Sequence, residues 1–131
     1  DSVQPEWLDR AERYRGFSLF ISRQNAHSNE SLFCAQLIGD RLLAAGFQPS
    51  RYHATPIEGE NRPFADEKRG IHYYDGLAVL RSARQPAVLV EAGVIVNPKD
   101  EINVASEDGR KQVAKAVAWA INDCLLKSHG K

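Results

Sequence analysis

The chain has 131 residues, a length that fits one compact domain or most of one. Hydrophobic residues at 43% and charged residues at 26% describe an ordinary globular composition, neither disordered nor membranous. Seventeen basic side chains balance seventeen acidic ones, which leaves no electrostatic footprint for nucleic acid, and no apolar run approaches the roughly 20 residues that span a bilayer.

The chain opens Asp1-Ser2-Val3 and contains no Met, so an N-terminal piece is expected to be missing, and any targeting segment with it. Residues 5–14 are polar around Trp7, Leu8 and Tyr14 and read as a loop or short helix. Gly16 then precedes a β-rich run, Phe17 to Ser22, of strand length. A polar turn, Arg23 to Asn29, comes next, with Ser28 or Asn29 suited to cap a helix. From Ser31 to Ala45, the residues Cys34, Ile38, Leu42 and Ala45 recur at helical spacing, and Gly46 is placed to end that helix.

Gln48 to Gly70 carries Pro49, Pro56 and Pro63 without periodicity, and reads as a functional loop or lid, or equally as a surface excursion. Asp75-Gly76 is a turn signal. Leu77 to Leu80 and Ala87 to Val90 are short apolar runs that fit strands buried on both faces. Gly109 to Leu126 is the last helix, with Val113, Val117, Ile121 and Leu125 forming a stripe, widened by Ala116, Ala120 and Cys124, that is expected to pack on the sheet. The order strand, helix, loop, strand, strand, helix predicts an α/β fold, a layered sheet flanked by helices. It is short of strands for a freestanding unit and suits the C-terminal portion of a larger single domain. Cys34 and Cys124 each lie in a helical apolar pattern, so buried free thiols are the expected state. A disulfide would suit an envelope protein, but spacing alone does not bring the sulfurs within reach.

Glu91 interrupts the apolar stretch from Pro86 to Val96. A carboxylate in such a run is paired, protonated, metal-bound or at the exposed end of its strand, because burying it alone is costly. In open α/β sheets ligands bind beyond the carboxyl ends of the strands, which is where Glu91 is expected. A structural ion pair with Arg81 or Arg84 is the competing explanation. The four histidines, His27, His53, His72 and His129, form no His-x-x-x-His pair, and each reads as a surface or hydrogen-bonded residue. His72 sits between the Gly70 turn and the sheet, facing the expected active edge. No Gly-x-Ser-x-Gly elbow and no glycine-rich phosphate loop is present.

The segment from Leu80 to Asn97 resembles the signature of the zinc-dependent N-acetylmuramoyl-L-alanine amidases. It runs Leu80-Arg81, a short link, Pro86-Ala87-Val88-Leu89-Val90-Glu91, then Gly93 and Asn97 before the acidic Asp100-Glu101, with Val96 standing where the family has Ser. Gly16-Phe17 with its strand, the helix from Ser31 to Gly46, and Arg69-Gly70 extend the resemblance over most of residues 16–126. The resemblance implies that Glu91 is the catalytic glutamate, general base and then acid toward a zinc-bound water. Arg69, His72 and Asn97 are the candidate substrate-binding residues. The family's zinc ligands, a His, a Glu and a second His in a Ser-x-His motif, precede its Gly-Phe strand. Asp1-Ser2 resembles the residues directly after that last His, which would put every ligand upstream of Asp1. The rival alignment lays Phe20 to Asn25 on the motif, with Gln24 in place of His. The helix from Ser31 favours the first, and under neither does this chain supply a family zinc ligand.

The resemblance thus implies a zinc-dependent hydrolase of the bond between N-acetylmuramic acid and L-alanine in peptidoglycan. It would act in cell wall remodelling or daughter-cell separation, in the periplasm or cell envelope, as a monomer. The chain alone is expected to be inactive without the missing N-terminal segment. The alternatives are a non-catalytic peptidoglycan-binding or regulatory domain derived from the amidases, and an unrelated small α/β binding domain.

Overall fold

The structure is a computed structural model that describes residues 16–50, 62–93 and 104–129. Four strands form one sheet: β1 (Ser18–Ile21), β2 (Phe64–Asp66), β3 (Ile71–Tyr73) and β4 (Leu89–Glu91). Three helices accompany them: α1 (Ser28–Ala44), the short α2 (Ala78–Ser82) and α3 (Glu107–His129). The strand order is β2-β3-β1-β4. β1 runs parallel to β3, whereas β2 and β4 are antiparallel to their neighbours.

β1 begins the core. Leu19 and Ile21 point to one face, where they join Phe17, Ile71, and Ala35, Ile38 and Leu42 of α1. The buried residues of α1, namely Ser31, Ala35, Ile38, Gly39 and Leu42, fall on one helical stripe, so a single face of that helix is removed from water. The helix starts three residues earlier than its apolar pattern suggests. His27 occupies the N-cap position without a side-chain cap, and the Ser31 hydroxyl donates back to the His27 carbonyl at 2.9 Å. Its end matches the sequence expectation. Gly46 takes φ +95°, its N–H reaches the Leu43 carbonyl, and the Phe47 N–H reaches the Leu42 carbonyl. That pair of bonds is a Schellman ending, which satisfies carbonyls the helix itself leaves open.

Two expectations change. Leu77 to Leu80 is not a strand but the lead into α2, in which only Leu80 is buried. A four-residue apolar run looks alike in either conformation, and here the Asp75-Gly76 turn feeds a helix. The segment expected to be a structureless loop contains β2, and β3 comes directly after it. The two strands make a hairpin whose turn closes through the Gly70 N–H on the Glu67 carbonyl, with Gly70 at φ +67°. Residues 5–14, His53 and Asn97 lie outside the described residues.

α3 packs beside α1, and the two sulfurs of Cys34 and Cys124 are joined in a disulfide, with the Cα atoms 5.3 Å apart. This overturns the expectation of free thiols. Helical periodicity alone does not register two helices against each other, and that register is what brings the cysteines within bonding range. Arg41 pairs with Asp123 at 2.9 Å across the same interface. The buried side of α3 is Ala116, Ala120 and Cys124, with Val113 and Val117 beside them. Ile121 and Leu125, expected to pack on the sheet, are instead 48% and 53% exposed. Among the described residues no helix is long and apolar enough to cross a membrane.

Candidate functional site

The carboxyl ends of β1 and β3 are laced together by side chains. Asp75, just after β3, accepts the Arg23 backbone N–H at 2.7 Å, the Arg23 Nε–H at 2.8 Å and the Ser22 hydroxyl at 3.1 Å. Burial would push the Asp75 carboxyl up, but the Arg23 and Ser22 hydrogen bonds outweigh it and hold the group below its ordinary value. Arg23 also lies over the Tyr73 ring at 4.5 Å. One turn on, the buried Asn25 organises the surrounding backbone. Its Oδ1 accepts the His27 N–H at 2.7 Å, and its Nδ2 donates to the Leu80 carbonyl at 2.8 Å. Weaker contacts from Nδ2 reach the Ala83 and Gln85 carbonyls at 3.3 Å. The Ala87 N–H donates to the Ser31 hydroxyl at 3.0 Å, which ties the approach to β4 onto α1. The turn after β1, the end of α2 and the entry to β4 are therefore held as one rigid corner. Sequence reasoning did not single out Asp75 or Asn25 for this work. Their signal was a lone Asp and a lone Asn at strand ends, whose partners lie more than fifty residues away.

Glu91 is the last residue of β4 and is half-buried. It lies at the carboxyl end of its own strand, as expected. Because β4 is antiparallel to β1, however, Glu91 sits opposite Ser18, at the amino end of β1. Ser18 and the Ser22 corner are four residues apart on one strand, about 13 Å at the usual rise. Gln24 and Glu91 consequently stand at opposite ends of β1. Arg81, offered as a structural ion-pair partner for Glu91, donates instead to the Asp75 carbonyl at 3.1 Å.

His72 is fully buried in β3, stacked on Phe64 with ring centroids 4.4 Å apart and on Phe20 at 5.4 Å. Its Nδ1 lies 3.0 Å from the Arg62 carbonyl, so the proton belongs on that nitrogen. Arg69 braces the β2–β3 turn against α1. It donates to Asp40 at 2.7 Å and Asp66 at 2.8 Å, and both carboxylates hold its guanidinium more firmly protonated. Arg69 thus reaches α1 from the amino end of β3, His72 lies within the sheet, and Glu91 sits at the amino end of β1, the same end of the sheet as Arg69. His72 pairs with Phe20 and Glu91 with Ser18, so both lie on the sheet face opposite to that of Leu19 and Ile21. His27 pairs with Glu30 at 3.3 Å at the start of α1. No group of three or more His, Cys, Asp or Glu side chains able to hold a metal ion occurs among the described residues. The described part of the chain does not fit a zinc centre.

The sequence profile of a family described as N-acetylmuramoyl-L-alanine amidase matches residues 8–123. Among solved structures, the chain is similar to the N-acetylmuramyl-L-alanine amidase Ami1 of Mycobacterium smegmatis, with 30% identity and a TM-score of 0.68. That match covers 85% of this chain and 47% of the mycobacterial one. The apo form of Ami1 from Mycobacterium abscessus matches equally, at 30% identity and TM-score 0.68, over 85% of this chain and 48% of that one. The chain therefore spans about half the length of these solved relatives. No curated protein sequence matches it.

Proposed function

The chain belongs to the N-acetylmuramoyl-L-alanine amidase family, and from that premise we propose that it serves peptidoglycan hydrolysis as the glutamate-bearing portion of an amidase domain. The observation that carries the reading is Glu91 at the end of β4, within the 8–123 match and inside the strand that most resembles the family signature. Its role would be proton transfer. The carboxylate takes a proton from the attacking water and returns it to the departing amine of L-alanine.

Zinc is the cofactor the resemblance implies, and the described residues do not form a site for it. We place its ligands elsewhere, on sequence N-terminal to β1. The separation of Gln24 from Glu91 along β1 supports that alignment over the one with Gln24 in a histidine's place. Arg69 and His72 enter the proposal as residues that shape the sheet edge, and Asn97 as a contact to the substrate by resemblance. Action at the cell envelope, in cell wall remodelling, agrees with the disulfide, because such bonds persist mainly in oxidising compartments. A monomer is the proposed state.

A non-catalytic peptidoglycan-binding role is the second reading, favoured by the lack of a metal-holding group among the described residues. Glu91→Gln, made in the natively purified protein, separates the two. The amidase reading predicts loss of muropeptide hydrolysis, by about a hundredfold or more, with binding to sacculi retained. Hydrolysis equal to wild type removes Glu91 from the chemistry. Binding without hydrolysis in both proteins supports the non-catalytic reading.

A further inference from the structure

The strand register sorts side chains between the two faces of the sheet. Leu19 and Ile21 point into the core with α1, so Ser18 and Phe20 point to the opposite face. Ser18 and Glu91, paired across β1 and β4, stand side by side on that face, with Cβ atoms about 5 Å apart at the usual cross-strand spacing. Ser18 is fully buried, and its Oγ has no hydrogen-bond partner among the described residues. A buried hydroxyl left unpaired is costly, so such a group calls for an explanation. The neighbours narrow the choice. On the β3 side, the residue before Ile71 is Gly70, which carries no side chain to offer. Two residues along β1, Phe20 lies against the His72 ring, whose other neighbour is Phe64 and whose Nδ1 faces the Arg62 carbonyl. Tyr74 meets the edge of Phe20 and carries the Arg62 guanidinium over its own ring. His72, Tyr74 and Arg62 are thus the other titratable or charged side chains gathered around Phe20, and each is engaged away from Ser18. The carboxylate nearest to Ser18 in register is Glu91.

From this we propose that Ser18 is a positioning residue for Glu91. In the reacting site the Ser18 hydroxyl donates to one carboxylate oxygen of Glu91, and the other oxygen takes the proton of the attacking water. The proposal rests on the catalytic reading of Glu91 given above. The reach is sufficient, because a glutamate carboxylate swings on three torsions and an opposing hydroxyl at this spacing comes within hydrogen-bond distance of it. A donor at a dry, rigid strand position does two things for a general base. It favours the ionised carboxylate, and it fixes the rotamer presented to the substrate. Ser18 brings the rigidity, since β1 is held between β3 on one side and β4 on the other.

Ser18→Ala and Ser18→Cys, made in the natively purified protein, test the assignment. Alanine removes the oxygen, whereas cysteine keeps the volume but is only a weak donor. In chelator-treated protein, the carboxyl-carbon NMR resonance of Glu91, identified by its absence from Glu91→Gln, should move in both variants. In muropeptide hydrolysis, kcat should fall about tenfold in each, the worth of one hydrogen bond to a charged group, with KM unchanged. The acid limb of the rate profile should shift to higher pH, because a carboxylate that loses a donor is protonated more readily. A resonance that stays in place, or a wild-type kcat and pH profile in Ser18→Ala, overturns the inference. Wild-type behaviour of Ser18→Cys alone assigns Ser18 to packing and overturns it equally. Glu91→Gln keeps the two readings apart. Hydrolysis unaffected by Glu91→Gln sinks the catalytic reading and the positioning role with it. Hydrolysis lost in Glu91→Gln but unmoved in Ser18→Ala sinks this inference alone.

Discussion

Asp75 collects three hydrogen bonds at the end of β3, and their value depends on its charge. The Arg23 guanidinium beside it is 57% exposed, so the ion pair itself contributes little. The backbone N–H of Arg23 and the Ser22 hydroxyl are the bonds that count. Replacing Asp75 with Ala should cost about 2 kcal/mol at neutral pH, measured by denaturant unfolding. Its folded-state value is depressed, so this contribution is fully present above the ordinary value of 3.8 and is lost as the pH falls through the lower folded-state value. Wild type and Asp75→Ala should therefore converge in stability in strong acid. A gap that stays constant down to that range would show that Asp75 acts by packing alone. Gly39 makes a second residue-scale test. A Cβ there would lie 2.8 Å from the Arg69 Cβ and 3.0 Å from its carbonyl oxygen. Gly39→Ala should cost about 1–3 kcal/mol, despite the better helix propensity of alanine, because the Arg69 backbone has to shift. A stabilised Gly39→Ala variant would contradict that close packing.

At the scale of elements, the α1–α3 pair is fastened by a crosslink that closes a loop of 90 residues in sequence separation. Reducing it, or replacing both cysteines with alanine, should lower stability by about 2–4 kcal/mol, seen as a fall in Tm. An unchanged Tm on reduction would mean that the Ala116–Ala120 packing already fixes the helices. The elements themselves were unevenly legible. α1 and its glycine end were readable because a long apolar period and a C′ glycine are local signals. β2 and β3 were not, since three-residue strands carry too few positions for alternation to show. Leu77 to Leu80 was misread for the same reason of shortness. The buried side of α3, Ala116, Ala120 and Cys124, was legible as the widening of the apolar stripe, whereas the exposure of Ile121 and Leu125 was not. Ile121 and Leu125 continue an apolar stripe, and which of two adjacent stripes faces the core is settled by the contact with α1. Glu91 was legible as a carboxylate in an apolar strand. Its position at the amino end of β1 was not, because strand direction within the sheet is a property of topology.

Over the whole molecule, the family assignment and the α/β architecture agree, and the described residues provide the glutamate-bearing strand and its support but no metal-holding cluster. We propose that this molecule takes part in cleaving the bond between N-acetylmuramic acid and L-alanine. The measurement that tests it most directly is mass analysis of the products when the natively purified protein, assayed for zinc per chain, is given a defined muropeptide. About one zinc per chain and release of a stem peptide with a free L-alanine amine, with the glycan left intact, are the expected result. Cleavage within the glycan or between stem-peptide residues, or an intact substrate despite bound zinc, would contradict it.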